Sequence, residues 1–311
     1  VAREVGIEEV FAEVLPEHKA DKVREVQSRG IVVAMAGDGV NDAPALKQAN
    51  IGVAMGITGT SVAKESADIV LADDNFTSIR AAVEEGRRVY DNLVKSLAFL
   101  LPTNIGIALI FIVAIMFFPF NPATRELLLP LKPAQLLWIN MVAAVALALP
   151  FAFEVKEADI MRRPPRDPAE PLFSRFVIFR TIMVSVLMTL GTVLLFMWEY
   201  AGSLSTGMTA SLALSESQTM AVTFVVAFQI WYMLNCRSLN DSIFAIGVFS
   251  NRTVFIGIGL VIVLHGLFIY APFMNTVFGS SWLSLRDVAI AAGTSSVIIP
   301  IIGAEKWIRS K

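Results

Sequence analysis

Six apolar runs, each long enough to cross a bilayer as a helix, constrain this 311-residue chain more than any other feature. A helical crossing takes about 20 predominantly apolar residues. The runs lie at about Leu93–Phe118, Ala134–Phe153, Phe176–Trp198, Gln218–Cys236, Thr253–Tyr270 and Val288–Ile308. Charge is almost absent inside them, which separates them from the buried helices of a large soluble protein. Backbone polar groups in lipid must be satisfied within the segment, so the runs are expected to be helical. The expected organisation is residues 1–92 as a water-exposed domain and residues 93–311 as an all-α transmembrane domain of six helices.

Loop charge predicts orientation. The second-to-third connection carries Lys156, Arg162, Arg163, Arg166 and Arg175. Arg237 and Arg252 follow the fourth span, and Lys306, Arg309 and Lys311 sit in the tail. Of the alternate loops, the first holds Arg125 and Lys132, while Ala201–Ser217 and Ala271–Leu285 hold no lysine or arginine. The positive-inside rule then places residues 1–92 and the C-terminus in the cytoplasm, in a protein expected at the plasma membrane. A formal net charge of −2 gives no global field for nucleic acid, and none is expected as a partner. Cys236 is the one cysteine, which excludes an internal disulfide and fits a small buried apolar residue.

The front end alternates in the α/β manner. Helices are expected at Lys19–Arg29, from Asn41 to Ala49, at Ser61–Ser66 and from Phe76 to about Tyr90. Strands are expected at Ile31–Met35, Ile51–Met55 and Ala67–Leu71, which together suggest a parallel sheet. Ligands in such sheets bind beyond the carboxyl ends of the strands, where Asp38 and Asp42 fall. Gly37 and Gly39 flank Asp38 and let the backbone approach a ligand closely. Asp38 can offer a carboxylate to a hard cation such as Mg²⁺, Asn41 a neutral amide to phosphoryl oxygens, and Asp42 support to both. Lys19, in Pro16-Glu-His-Lys19, can neutralise phosphoryl charge.

The stretch from Ala36 to Lys47, AGDGVNDAPALK, closely resembles the hinge motif of P-type cation-transporting ATPases, whose phosphorylation domain is haloacid-dehalogenase-like. LPEHKADKVREVQ, Ala72-Asp-Asp-Asn-Phe-Thr77, Val83-Glu-Glu-Gly-Arg87, Asp159-Ile-Met-Arg-Arg-Pro-Pro-Arg166 and Glu170-Pro-Leu172 are similar to that family in the same order, on its calcium-pump-like branch. The resemblance implies a partial α/β haloacid-dehalogenase-like domain followed by the C-terminal six-helix membrane domain. It implies that Asp38 binds Mg²⁺, that Lys19, Asn41 and Asp42 surround an aspartyl phosphate, and that ATP is the fuel for moving a cation.

Two departures qualify it. The family's Asp-Lys-Thr-Gly-Thr is absent, so the nucleophile, the nucleotide-binding domain and the first four spans are expected upstream, and this polypeptide alone is expected to be inactive. In the membrane, the positions where calcium pumps carry Glu, Thr and Asp read Ile107, Ala143 and Ala144, and the acidic position of the fourth span reads Gln229. Asn104 and Asn140 remain and, with Gln229, are the candidate transport-path residues. Ca²⁺ takes 6–8 oxygen ligands, usually with carboxylates among them, so Ca²⁺ in the usual site is not expected. Two alternatives stay open: a pump-derived membrane protein without transport, its ion ligands lost, and a membrane-tethered phosphatase. The loop charges make one firm prediction. A topology reporter fused after Lys311 is expected to be active only in its cytoplasmic form, and activity on the opposite side would overturn the orientation.

Overall fold

The computed structural model describes residues 6–7, 9–11, 14–120, 127–166, 174–241 and 247–309, with the side chain of Ala143 also left undescribed. Arg125, Lys311 and the Glu170-Pro-Leu172 motif therefore lie outside the described residues. The chain divides into two compact units, Val1–Gly86 and Arg87–Lys311.

The first unit is a three-stranded parallel sheet in the order β1 (Ala34–Gly37), β2 (Ile51–Met55) and β3 (Ile69–Leu71), with Ala36 opposite Val53 and Ala54 opposite Val70. Helices α1 (Lys19–Ser28), α2 (Ala43–Gln48) and α3 (Ser61–Ser66) connect and cover it. Central β2 is buried on both faces, as parallel strands usually are. Ala54 packs with Leu46 and Ala63, and Val53 and Met55 pack with Leu71.

The strands at Ile51–Met55 and the helix at Ser61–Ser66 fall where the pattern placed them; three boundaries move. The first strand begins at Ala34 rather than Ile31, because the Val33 amide is taken by the Asn50 side chain (2.9 Å), and Ile31 and Val32 stay exposed. The third begins at Ile69 rather than Ala67, because the Asp68 carboxylate takes the Gly52 amide (2.8 Å) where a strand carbonyl would have done so. The helix expected from Asn41 opens instead as a 3₁₀ turn, Val40–Asp42, before α2.

The helix expected at Phe76–Tyr90 does not stop. It runs on as α4, Phe76–Phe117, and absorbs the first apolar run. The second crossing, α5 (Pro133–Phe153), is irregular: Ile139–Ala144 is a π-helical turn and Leu149–Phe153 a 3₁₀ turn around Pro150. Helices α6 (Arg175–Ser205), α7 (Ala210–Cys236) and α8 (Arg252–Tyr270) follow, then a short α9 (Pro272–Phe278). The last run, read as one helix, is two: α10 (Leu285–Ser295) and α11 (Ile298–Arg309). Side-chain caps start several of these, including Ser174 for α6 and the reciprocal Ser284–Asp287 pair for α10.

Among the described residues six helical stretches are long and apolar enough to cross a membrane, and the chain is an integral membrane protein. Helix α7 is its centre: 72% of its apolar window is buried, against 22–39% in the other five. An all-round apolar helix belongs inside a bundle. Outward residues such as Ile115, Leu194 and Ile262 suit contact with lipid chains.

Proline at position 102 removes one rung of the α4 hydrogen-bond ladder, because it has no N–H to offer Ala98. The freed Ala98 carbonyl accepts from the buried Tyr232 hydroxyl of α7 at 2.7 Å. Beside it, Ser185 and Thr189 of α6 donate to the carbonyls of Pro102 (2.8 Å) and Gly106 (3.1 Å). Glycine at 106 makes the approach close: a Cβ there would stand 2.5 Å from the flexible Met188 methyl and 3.3 Å from the Ser185 carbonyl.

Buried ion pairs tie the helix ends. Arg237, after α7, donates to both carboxylate oxygens of Glu154 (3.0 and 3.1 Å), and Asn251 donates to the same carboxylate (3.0 Å). Asn92 of α4 holds the Glu154 carbonyl at 3.0 Å. Both ions are essentially out of contact with water. Removing one partner of such a pair leaves the other charge uncompensated, at a cost of about 3–5 kcal/mol. Glu154→Ala should lower stability by about that amount. Adding Arg237→Leu should recover part of the loss, read by thermal denaturation of the detergent-solubilised chain.

Candidate phosphate-side and membrane sites

The first unit gathers its sequence-predicted residues into one turn. Asp38 follows the carboxyl end of β1, and Asn41 and Asp42 occupy the 3₁₀ turn that leads into α2. Asp42 is the buried hub of that turn. Its Oδ1 accepts from Lys19 Nζ at 2.7 Å, and its Oδ2 accepts from the amides of Gly39 (3.0 Å) and Asp38 (3.3 Å). Gly37 is required by this closeness, since a Cβ there would lie 2.6 Å from that of Asp42. The motif's first glycine thus makes room for Asp42 inside the turn. Burial pushes the Asp42 carboxyl up, but the hydrogen bonds from Lys19 and the two amides outweigh it and hold the group below its ordinary value.

The residues divide by availability. Asp42 and Lys19 are spent on each other, whereas the Asp38 carboxylate and the Asn41 amide are exposed and have no hydrogen-bond partner among the described residues. No three His, Cys, Asp or Glu side chains converge there or elsewhere among the described residues. That donor set fits Mg²⁺ better than a caged ion, because Mg²⁺ keeps several waters and binds through one or two carboxylates plus phosphate oxygens. Asp38 would be the protein's carboxylate.

In the membrane unit, Asn104 of α4 and Asn140 of α5 line one cleft of about 530 Å³, with Ser96, Leu100 and Ala144 in the same wall. Asn104 Nδ2 donates back to Leu100 O at 2.8 Å, which leaves its carbonyl oxygen available. Asn140 lies in the π-helical turn and its buried Oδ1 has no partner among the described residues. Such turns are rare and often fall at functional positions. Gln229 does not reach this wall; it is fully buried in α7 with both side-chain polar atoms unpartnered. Ile107 points into the apolar core.

Comparison with known proteins gives the family. Residues 128–308 match the family described as cation transporting ATPase, C-terminus. The chain belongs to the P-type cation-transporting ATPases. It is 46% identical over 288 residues to the probable cation-transporting ATPase F of Mycobacterium tuberculosis, covering 91% of this chain and 30% of that protein. It is 40% identical over 301 residues to calcium-transporting ATPase 1 of Bacillus cereus (94% and 33%), and 36% identical over 302 residues to the calcium-transporting ATPase of Bacillus subtilis (97% and 32%). The chain thus spans about a third of the length of these relatives.

Sequence reasoning missed three features of this family member. Arg237 and Lys306, counted as loop and tail charges, are buried; Lys306 Nζ donates to the carbonyls of Asn235 (2.8 Å) and Asp241 (3.0 Å). Buried Lys95 and half-buried Arg163 share the buried Glu157 in a second cluster. The third, Asp74, anchors a loop beside Asp38; in the sequence, Ala72-Asp-Asp-Asn-Phe-Thr77 stands out only as a motif similar to the family's, with no role for Asp74. A pH dependence follows for Asp42. A carboxyl lowered in the folded state contributes stability above its ordinary value and loses it as pH falls through the lowered folded value. Lys19→Met should move the Asp42 titration to higher pH, so that the loss begins earlier on acidification, measured by NMR titration of the labelled carboxyl.

Proposed function

We propose that this chain forms the phosphate-binding and C-terminal membrane parts of an ATP-driven cation pump, with residues 1–92 and the C-terminus in the cytoplasm of a plasma-membrane protein. The observation that carries the reading is the division of labour at the opening turn. Lys19 and two backbone amides hold Asp42, and Asp42 in turn shapes the loop that leaves Asp38 and Asn41 free beyond the sheet.

In this reading Asp38 binds Mg²⁺, and Asn41 meets the phosphoryl group of an aspartyl phosphate whose nucleophile lies outside this chain. Mg²⁺ supplies neutralisation of phosphoryl charge, which is most of what phosphoryl transfer asks of a protein. Gly37 and Gly39 keep the turn tight enough for backbone and phosphate to approach. Lys19, paired with Asp42, keeps that carboxylate ionised and the turn in shape.

The cargo site is the cleft of Asn104 and Asn140. Two of the relatives are calcium-transporting ATPases, but this cleft offers neutral amide oxygens and Ala144 rather than carboxylates. A proton or another monovalent cation suits such a lining, since Ca²⁺ favours a charged oxygen cage. Asn140, within the π-helical turn, lines the cleft and has a buried Oδ1 with no partner among the described residues, which supports this reading, and Gln229 offers a further uncharged polar group within α7. No observation favours the alternative of a pump-derived protein without transport.

In the full-length parent, ATPase activity should not rise with micromolar Ca²⁺. Asn140→Ala should reduce ion-dependent ATPase without unfolding, because removing a neutral amide leaves no buried charge unpaired. Vesicle uptake and ATPase assays across Ca²⁺, Na⁺, K⁺, Mn²⁺ and pH test both points; high-affinity Ca²⁺ uptake that survives Asn140→Ala would refute the cargo assignment.

A further inference from the structure

Asp74 is the one non-glycine residue among those described with a left-handed backbone, φ 52°. Aspartate tolerates that region because its short polar side chain bonds locally. Here the side chain bonds across the unit instead. Its Oδ1 accepts from the Ile57 amide at 2.9 Å, and its Oδ2 accepts from the Thr58 amide and the Thr58 hydroxyl, both at 2.8 Å. The Ile57 amide, with those of Thr58, pulls this carboxyl down to about 2.

Ile57 and Thr58 belong to the loop Gly56–Thr60, between β2 and α3. Burial does not hold that loop, since Ile57 is 72% exposed. Hydrogen bonds at its two ends do. At the front, the Gly56 amide donates to Leu71 O at 2.8 Å and Asp74 clasps the next two residues. At the rear, the Thr60 amide donates to the Asp38 carbonyl at 2.8 Å. The loop is folded too tightly to absorb slack: a Cβ at Gly59 would stand 2.0 Å from Met55 O.

The Asp38 carboxylate has no hydrogen-bond partner of its own, so its place is set by its backbone. Two bonds hold that backbone: the Asp38 amide on Asp42 (3.3 Å) and the Thr60 amide on the Asp38 carbonyl. The first belongs to the hub already described, and the second depends on a loop that Asp74 fastens. We propose that Asp74 is a positioning residue for Asp38, acting through the Gly56–Thr60 loop. The inference rests on the reading of Asp38 as the Mg²⁺ ligand, and Asp74 touches neither metal nor phosphate.

The test separates backbone from carboxylate. Asp74→Gly keeps the left-handed conformation without strain and removes only the clasp. Asp74→Asn keeps one acceptor oxygen, and Asp74→Ala loses both clasp and conformation. In the detergent-solubilised chain, Asp74→Gly should speed amide exchange at Ile57, Thr58 and Thr60 about tenfold, the worth of one charge-assisted hydrogen bond, with β2 unchanged. Asp74→Asn should fall between it and the wild type.

In the full-length parent, Asp74→Gly should raise the Mg²⁺ concentration for half-maximal ATPase about tenfold in protein that remains folded at the assay temperature, about the worth of one charge-assisted hydrogen bond. Asp38→Asn is the control. If Asp38→Asn shifts the Mg²⁺ dependence and Asp74→Gly does not, or if Thr60 exchange is unmoved by Asp74→Gly, the positioning role is refuted. Impairment in Asp74→Ala alone, with Asp74→Gly like the wild type, refutes it too, by showing that only backbone conformation matters. If Asp38→Asn leaves the Mg²⁺ dependence unchanged, the metal reading itself falls and this inference with it.

Discussion

A backbone carbonyl with no partner is costly in lipid, where water cannot supply the missing bond, and the membrane unit is organised around that cost. Pro102 would orphan Ala98, and Tyr232 answers from the neighbouring helix. Ser185 and Thr189 add bonds from α6 to the carbonyls of Pro102 and Gly106, where the small Gly106 leaves room for the two helices to approach. Together these bonds fix α4 against α6 and α7. Proline, serine, threonine, glycine and tyrosine, weak helix formers individually, become the specific contacts of an otherwise uniform apolar bundle. Asn104, on the helix held by these bonds, lines one cleft with Asn140.

The water-exposed unit solves a different problem, which is to keep one carboxylate free among several. Asp42, Asp68 and Asp74 are each consumed by amides or by Lys19. Their bonds close the turns that follow or precede the strands. Asp38, flanked by two glycines, is left with an unpartnered carboxylate at the strand end. A single available carboxylate suits an ion that brings its own water and shares phosphate oxygens. Structural and chemical acids thus stand within a few residues of one another, and hydrogen bonding alone separates them.

Much of this was legible beforehand. Apolar length announced the crossings, period and β-branching announced β2 at Ile51–Met55, and the motif order announced the family. Boundaries were less legible where a side chain replaced a backbone partner, as Asn50 does for Val33 and Asp68 for Gly52. Hydropathy gave no sign of the π-helical turn at Ile139–Ala144 or of the break between Ser295 and Ile298, since both lie inside continuous apolar runs. Charge in a loop is usually solvated; Arg237 is buried because Glu154 and Ser250 take its guanidinium hydrogens.

The sequence by itself determined the class of the protein: which residues can be in lipid, which stretch alternates strand and helix, and which motif carries acids beside glycines. These are local properties, set by composition and spacing. Tertiary structure decided which acids are free and which are spent, because that depends on what lies across the fold: Lys19 against Asp42, Ile57 against Asp74, Arg237 against Glu154. It also decided that Asn104 and Asn140 share a cleft while Gln229 does not line it. Residues 36 positions apart in the chain (140 − 104) meet only when two helices pack, and no one-dimensional pattern encodes that meeting.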